Sequence, residues 1–251
     1  MMGEISVDIR YIDAVKWQQD TGCSFSLTSD IDVWRIDIEA NLPLIPRFLP
    51  LLEPDEIKRA GRYYQEKDRQ RFIVSRAVLR IILSRYMHQA ATDIRFGIGP
   101  NKKPFLANFS GEISYNISHS DKWALIAVSK TTVGVDTEKI DPTFAYADIL
   151  PDHFSKEEIS YVEQQQSHQR FCLLWTRKEA TTKLTGQGLD ERLKSIPSLS
   201  DKHLIANDII NSSKDIALAS FEFDASNLAT VAYEVNGYSE LKFWDIDLTS
   251  I

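Results

Sequence analysis

The chain has 251 residues, of which 43% are hydrophobic and 26% charged, values typical of a globular protein with its own core. Its net charge of −7 argues against a general nucleic-acid-binding protein, because phosphate contacts require a basic surface. We expect a cytoplasmic protein without a zinc site, disulfides or a membrane span, because its two cysteines show no C-x-x-C spacing, no apolar run approaches ~20 residues and the first residues lack a signal-peptide pattern.

The first half of the chain combines a strand pattern with a basic helical segment. Residues 31–38 alternate between apolar and polar side chains and predict a strand, and acids after Pro54 predict a helix start. A longer helix is predicted from an apolar stripe at three- and four-residue spacing, formed by Phe72, Val74, Ala77, Val78, Ile81 and Ile82. Nine bases against two acids lie between Lys58 and Arg85. This excess is either a solvated helix face or a sign of an anionic ligand or partner.

A turn-rich loop and a Ser-His-Ser sequence come next. Residues 94–98 alternate as a strand and lead into the loop 99–104, whose two lysines could hold a phosphate or a base. Residues 115–120 (Tyr-Asn-Ile-Ser-His-Ser) then precede the strand pattern of residues 123–128. Consecutive side chains of an extended segment point apart, and no G-x-S-x-G occurs. A Ser/His hydrolase is therefore not indicated.

The segment 133–138 reads as a short apolar strand that ends in two acids, Asp136 and Glu138. The two-residue period of a strand puts both carboxylates on the same side. Oxygen ligands without Cys or His suit a hard cation such as Mg²⁺, which would remove the repulsion between the acids. The simpler alternative is a solvated strand end, so the pair needs further support.

A helix start is predicted at Ser155, which can act as N-cap with Glu158 completing a capping box. We favour this structural reading of Glu158 over a catalytic one.

A second long helix is predicted to end near Thr185, because Gly186 and Gly188 fall where a left-handed C-cap is favoured. Glu179 and Lys183 are four residues apart on one face of it. Glu179 could supply a third carboxylate beside the two strand acids. The alternative is that Glu179 and Lys183 form only a solvated ion pair.

A faint internal repeat predicts two lobes of like topology. Residues 53–57 resemble 155–159 at an offset of 102, and Gln70-Arg71-Phe72 recurs as Gln169-Arg170-Phe171 at an offset of 99. Beyond residue 189 the pattern predicts strands at 216–223, 228–235 and 240–246.

Three motifs occur in order: N-x-S-H-S at 116–120, G-x-D-x-E at 134–138 and W-x-x-K-E-A-x-x-K-x-x-G-x-G-L at 175–189. In this order and at these separations they resemble the 4′-phosphopantetheinyl transferases of the surfactin-synthetase (Sfp) type. The resemblance implies an α+β fold of two pseudosymmetric lobes, each of α/β type, with the active site in the cleft between them. We place the lobes at residues 1–130 and 131–251.

The resemblance also implies a reaction. A serine hydroxyl of an apo acyl or peptidyl carrier protein would attack the β-phosphorus of coenzyme A, gain the 4′-phosphopantetheine group and release 3′,5′-ADP. Mg²⁺, with Mn²⁺ as a substitute, would be held by Asp136, Glu138 and Glu179. Glu179 is the best candidate for general base, directly or through a water, and Lys183 would stabilise the leaving phosphate.

The residues that the resemblance places on coenzyme A are Arg59, Arg71, Asn101, Lys102, Lys103, Pro104, Ser118, His119, Asp136 and Lys183. The chain departs from the family twice. Lys102 stands where the family loop has glycine, and Glu56 stands where it has a lysine, so that contact is lost or moves to Lys58, Arg71 or Arg76.

Two other functions were weighed against this enzyme. A catalytically silent carrier-protein-binding module would keep the fold without the reaction, but all three carboxylates and Lys183 are present. A generic Mg²⁺ phosphotransferase would want a G-x-x-x-x-G-K-[ST] loop, which the sequence lacks. We expect a monomer with no nucleic-acid or membrane partner.

Overall fold

The structure is a computed structural model, which describes residues 3–99, 103–109, 111–188, 191–237 and 239–248. Within these ranges the chain forms two five-stranded sheets, a two-stranded sheet and helices packed on the larger sheets, so the predicted α+β class is confirmed. No helix of the described residues is long and apolar enough to cross a bilayer.

The elements are numbered here in chain order. The strands are β1 (Glu4–Ile12), β2 (Trp17–Gln19), β3 (Ile31–Asp37), β4 (Phe96–Ile98), β5 (Pro104–Leu106), β6 (Ser114–Ser120), β7 (Trp123–Ser129), β8 (Val133–Lys139), β9 (Asp201–Ala206), β10 (Ile216–Asp224), β11 (Asn227–Glu234) and β12 (Leu241–Asp245). The α-helices are α1 (Ile45–Phe48), α2 (Pro54–Ala60), α3 (Glu66–Met87), α4 (Leu150–His153), α5 (Lys156–Val162) and α6 (Ser167–Thr185). Short 3-10 turns cover Asp20–Gly22, Leu42–Leu44, Leu49–Leu51, Ala91–Asp93 and Glu191–Ser195.

Each large sheet carries one long helix. The first sheet has the order β2-β12-β3-β7-β6, and the second has the order β8-β11-β10-β1-β9. The predicted apolar stripe of α3 is confirmed: Val74, Ala77, Val78 and Ile82 are fully buried in one core with the first sheet. On the second sheet, Ala180 and Leu184 of α6 pack in a separate core. Burying one apolar face of a helix against a sheet is the main stabilising contribution in each half.

The two halves repeat one unit of a strand, a short helix, a long helix and a hairpin. In the first sheet β3 lies beside β7 and β7 beside β6, all antiparallel; in the second, β8, β11 and β10 are arranged in the same way. The matching elements begin 101 to 104 residues apart, at Ile31 and Val133, Pro54 and Lys156, Glu66 and Ser167, Ser114 and Ile216, and Trp123 and Asn227. The repeat predicted from short sequence matches is therefore a repeat of topology.

The ends of the chain cross between the halves, which the predicted boundary at residue 130 does not provide for. β1 lies in the second sheet, parallel to β10 and antiparallel to β9. β12 lies in the first sheet, between β3 and β2 and parallel to both. Each sheet is consequently built from both halves of the sequence.

Gly134 of β8 allows helix α6 to approach the second sheet closely. A Cβ atom built on this glycine would overlap the Ala180 carbonyl oxygen and the Leu184 backbone nitrogen, both on α6. Backbone atoms cannot move aside as a flexible side chain can, so the glycine sets the distance between strand and helix.

Replacing Gly134 with alanine should destabilise the protein by ~1–3 kcal/mol, the usual range for overpacking, because α6 must shift away from β8. Denaturant unfolding measures this change. Gly61→Ala is the control, because a Cβ there meets nothing nearer than Lys58 O at 3.6 Å. Equal stability of the two variants would contradict the close-approach role of Gly134.

Candidate active site

Strands β6 and β8 face each other at the junction of the two sheets, and side chains of β6 join them. Ser118 Oγ donates to Asp136 Oδ1 at 2.9 Å, and Ser120 Oγ donates to Glu138 Oε2 at 3.0 Å. The side chain of Asn116 accepts the N–H of Val135 at 2.9 Å. The prediction that Asp136 and Glu138 point to the same side is thus confirmed, because alternate residues of β6 contact them in turn.

The two acids do not lie at the end of their strand, as the sequence pattern suggested. β8 continues through Lys139, and Asp136 lies in the middle of it with only 3% of its surface exposed. The reason is that the carboxylate of Asp136 has partners inside the protein. A buried charge needs such partners, because burial removes its hydration.

Helix α6 supplies the cation. As predicted, α6 ends at Thr185, and Gly186 caps it in the left-handed conformation with φ of 74°. Lys183 Nζ donates to Asp136 Oδ1 at 2.6 Å and to Ser118 Oγ at 2.9 Å. Lys183 is therefore paired with a strand acid, and the proposed solvated ion pair with Glu179 is not its main contact.

The carboxylates of Asp136, Glu138 and Glu179 form an acidic cluster. Burial raises the pKa of Glu138 to about 7, with the charges of Asp136 and Glu179 adding to it. The pKa of Glu179 is also raised, first by burial and then by Asp136. Asp136 Oδ2 is buried and accepts no hydrogen bond within the described part of the chain. The cluster thus holds more negative charge than Lys183 neutralises.

The raised pKa of Glu138 predicts a pH dependence for the metal-free protein. Because Glu138 binds its proton more tightly folded than unfolded, it contributes stability that is fully present below about pH 4.5 and lost as the pH rises through about 7. Melting temperatures in a chelating buffer from pH 4 to 8 measure this loss. In Glu138→Gln this part of the pH dependence should disappear, whereas Glu163→Gln, at the exposed end of α5, should melt as the wild type does. Identical profiles for all three proteins would contradict the placement of Glu138.

Over the described ranges, no group of three or more His, Cys, Asp and Glu side chains is gathered as a metal site. Asp136, Glu138 and Glu179 are neighbours through their charges, and the ammonium of Lys183 contacts Asp136. Their assignment as metal ligands stays a prediction.

A cationic group borders the acidic cluster. The pKa of His119 is lowered, first by the protein packed around it, although part of the ring reaches solvent, and next by the charge of Arg71. Arg71, on α3, is paired with Asp68 at 2.8 Å and remains partly exposed. His119, Arg71 and Lys183 thus bring basic side chains from both halves to one place.

Comparison with known proteins identifies the family. Residues 44–131 match the model of the 4′-phosphopantetheinyl transferase N-terminal domain, and residues 132–232 match that of the 4′-phosphopantetheinyl transferase superfamily. The chain belongs to the 4′-phosphopantetheinyl transferase superfamily.

Individual members of the family align over most of the chain. Synechocystis sp. slr0495 is 33% identical over 61% of this chain and 65% of its own length. HetI of Nostoc sp. is 31% identical over 65% and 71%, and Sfp of Bacillus subtilis is 30% identical over 59% and 66%, respectively. The last two are named 4′-phosphopantetheinyl transferases. The chain spans about two thirds of the length of these relatives.

The structure clarifies the departure from the family at Glu56. This glutamate is buried, and it accepts hydrogen bonds from Arg76 and from Arg80 Nε, the latter at 2.9 Å. Arg76 is therefore used inside the fold and does not replace the missing family lysine, which leaves Lys58 and Arg71. Arg59 is exposed, with its guanidinium carbon 5.0 Å from the centre of the Phe72 ring.

The loop of the transferase family that contains Lys103 lies against helix α6. Lys103 Nζ donates to Leu184 O at 2.7 Å and lies 3.4 Å from Val133 O, and burial lowers its pKa to about 8. Together with Pro104 it lines an open cleft of about 430 Å³. Asn101 and Lys102 lie outside the described residues, so their predicted contacts stay predictions.

Two further residues of the motifs have structural roles. The capping box of Glu158 is confirmed: its carboxylate accepts the N–H of Ser155 at 2.8 Å and that of Ser198 at 2.9 Å. Lys178 completes this buried site with an ion pair to Glu158 at 3.0 Å. Because Glu158 is 3% exposed and fully engaged, it is unsuited to act as a general base.

Sequence reasoning gave Lys178 no role, although a lysine within an apolar helical stretch is a signal of a buried ion pair. Ser120 was likewise left without a role. Its position two residues after Ser118 was the available signal, because it puts both hydroxyls on the side that faces β8. Trp175 packs on Phe171 with ring centres 5.8 Å apart, which confirms it as a core residue.

Proposed function

We propose that this chain transfers the 4′-phosphopantetheine group of coenzyme A to a serine hydroxyl of an apo acyl or peptidyl carrier protein, releasing 3′,5′-ADP. The observation that carries the proposal is the acidic cluster with Lys183 and His119 at its border, where β6, β8 and α6 meet. A member of this family with these groups together has the chemistry for phosphoryl-type transfer. The protein would work as a cytoplasmic monomer, which suits its two free cysteines, Cys23 and Cys172.

The acidic cluster suits Mg²⁺, with Mn²⁺ as a substitute. Its donors are carboxylate oxygens, which hard divalent cations prefer. The buried Asp136 Oδ2 has no hydrogen-bond partner in the described residues, and the raised pKa values of Glu138 and Glu179 reflect uncompensated negative charge. When bound by Asp136, Glu138 and Glu179, the cation would neutralise charge on the diphosphate of coenzyme A.

The side chains of the site divide the remaining work. Glu179 accepts the proton of the carrier serine, directly or through a water, as the serine oxygen bonds to the β-phosphorus and the bond to the leaving phosphate breaks. Lys183 leaves Asp136 for the leaving phosphate, where negative charge grows. Ser118, His119 and Arg71 donate hydrogen bonds to the phosphates of coenzyme A, and Lys103 and Pro104 lie against its nucleotide.

Incubating the protein with coenzyme A, Mg²⁺ and a panel of apo carrier proteins tests the proposal. Mass spectrometry should find a carrier heavier by one phosphopantetheine, and chromatography should find an equal amount of 3′,5′-ADP. A carrier that binds in a pull-down and gains no mass would favour the silent module. Neither binding nor transfer across the panel would leave the carrier class open to a wider search and would contradict the panel members as substrates.

Replacing Arg59 with alanine should raise the KM for coenzyme A by roughly 10-fold, the loss expected for one charge-assisted contact to the 3′-phosphate. The KM for 3′-dephospho-coenzyme A should change far less, because it lacks that phosphate. Lys67→Ala is a control, because Lys67 is an exposed cation on the same segment. Equal effects on the two ligands would assign Arg59 to the carrier surface instead.

A further inference from the structure

Ser120 connects two strands through both functions of its hydroxyl group. Its Oγ lies 3.0 Å from the backbone nitrogen of Lys139 and 3.0 Å from Glu138 Oε2. A backbone N–H can only donate, so Ser120 accepts the bond from Lys139. The single proton of the hydroxyl is then directed at Glu138. The orientation of this serine is therefore fixed by two bonds.

The bond to Glu138 restricts a side chain that would otherwise be mobile. Glutamate has three rotatable side-chain bonds, and Glu138 lies next to the strand end at Lys139. Ser120 holds one carboxylate oxygen, Oε2, and leaves Oε1 without this bond. Carboxylates that bind metal ions are typically held in this way by hydrogen bonds from neighbouring groups.

Ser120 holds Glu138 much as Ser118 holds Asp136, with one difference. Ser118 Oγ also contacts Lys183 at 2.9 Å, so it belongs to the cationic side of the site. The other bond of Ser120 goes to the backbone of β8. The role of Ser120 is thus directed at the position of a carboxylate and not at a phosphate.

We infer that Ser120 is a positioning residue, which orients the carboxylate of Glu138 for binding a divalent cation and fixes the end of β8 beside it. The inference rests on the proposed function of the acidic cluster, and it concerns a residue that itself touches neither coenzyme A nor the carrier serine.

Binding of Mn²⁺ to the protein alone, measured by electron paramagnetic resonance of the free ion, tests the inference. Ser120→Ala should weaken Mn²⁺ binding by about 10- to 100-fold, the usual loss when a hydrogen bond to a metal ligand is removed. Ser120→Thr keeps the hydroxyl and should bind within a few-fold of wild type. In transfer assays, excess Mg²⁺ should bring kcat of Ser120→Ala back towards wild type.

Ser129→Ala is the matched control. Ser129 is a buried serine of the adjacent strand β7, and its Oγ accepts the N–H of Thr131 at 3.2 Å as Ser120 accepts that of Lys139, but its side chain faces Thr131 and not a carboxylate. This variant should bind Mn²⁺ as the wild type does. If Ser120→Ala is poorly folded in thermal unfolding, Ser120→Cys, which keeps the size of the side chain but only a weak donor, takes its place with the same expectation.

Unchanged Mn²⁺ binding in Ser120→Ala would overturn the inference, and so would an equal loss in Ser129→Ala or in Ser120→Thr. The proposed function fails separately. A wild-type protein that transfers nothing to any carrier, but loses Mn²⁺ affinity in Ser120→Ala alone, would contradict the reaction and support the positioning role.

Discussion

Replacing Glu179 with glutamine is expected to lower the single-turnover rate of transfer by about 10²- to 10⁴-fold, the usual contribution of a general base. The substitution keeps the size of the side chain and removes its charge and basicity. Glu179 is partly buried beside Asp136, and its raised pKa brings its basicity nearer to neutral pH, where a general base is effective. Raised Mg²⁺ should restore only part of the rate, because it can compensate for a lost ligand but not for a lost base.

Quenched-flow measurements with saturating coenzyme A and carrier give this rate. Glu163→Gln removes an exposed acid from the end of α5 and should react as the wild type does. Full recovery of Glu179→Gln at high Mg²⁺ would leave Glu179 as a ligand only, and another group or water would have to accept the serine proton.

Lys183→Ala should produce two opposite effects. The transfer rate should fall by about 10²- to 10³-fold, as when one donor to a developing negative charge is removed. Without coenzyme A, however, the divalent cation should bind more tightly than in wild type. Lys183 Nζ lies 2.6 Å from Asp136 Oδ1, so its ammonium competes with a cation for that carboxylate.

Single-turnover kinetics and Mn²⁺ titration of one protein sample measure both effects. Lys139→Ala controls for a general change of charge, because Lys139 lies at the end of the same strand and pairs with Asp121 at 3.1 Å. Rates within a few-fold of wild type would remove Lys183 from the chemistry. Weaker Mn²⁺ binding would show that Lys183 supports the acidic cluster instead of competing for it.

Much of the site could be predicted because its motifs are local. The two-residue period fixed the common side of Asp136 and Glu138, and the glycine after Thr185 fixed the end of α6. The pairing of Lys183 with Asp136 could not be read in the same way. It depends on how closely α6 packs on β8, which Gly134 allows only in three dimensions.

The strands missed by sequence reasoning share a physical cause. β1, β2 and β9 were not predicted, and β2 is only three residues long. β9 is an edge strand with mostly exposed or partly exposed residues, so it lacks a clear alternation of apolar side chains. The order of strands in a sheet is set by contacts between distant segments, and the apolar pattern of one segment does not contain it.

The crossing of the chain ends constrains the order in which the protein can assemble during synthesis. β1 leaves the ribosome first, but its neighbours β9 and β10 begin only at Asp201 and Ile216. The first sheet in turn lacks an internal strand until β12, at Leu241–Asp245, has been made. Neither half can finish folding before the other, so we expect folding after release from the ribosome, slowed by long-range strand pairing, and loss of both halves in one cooperative step.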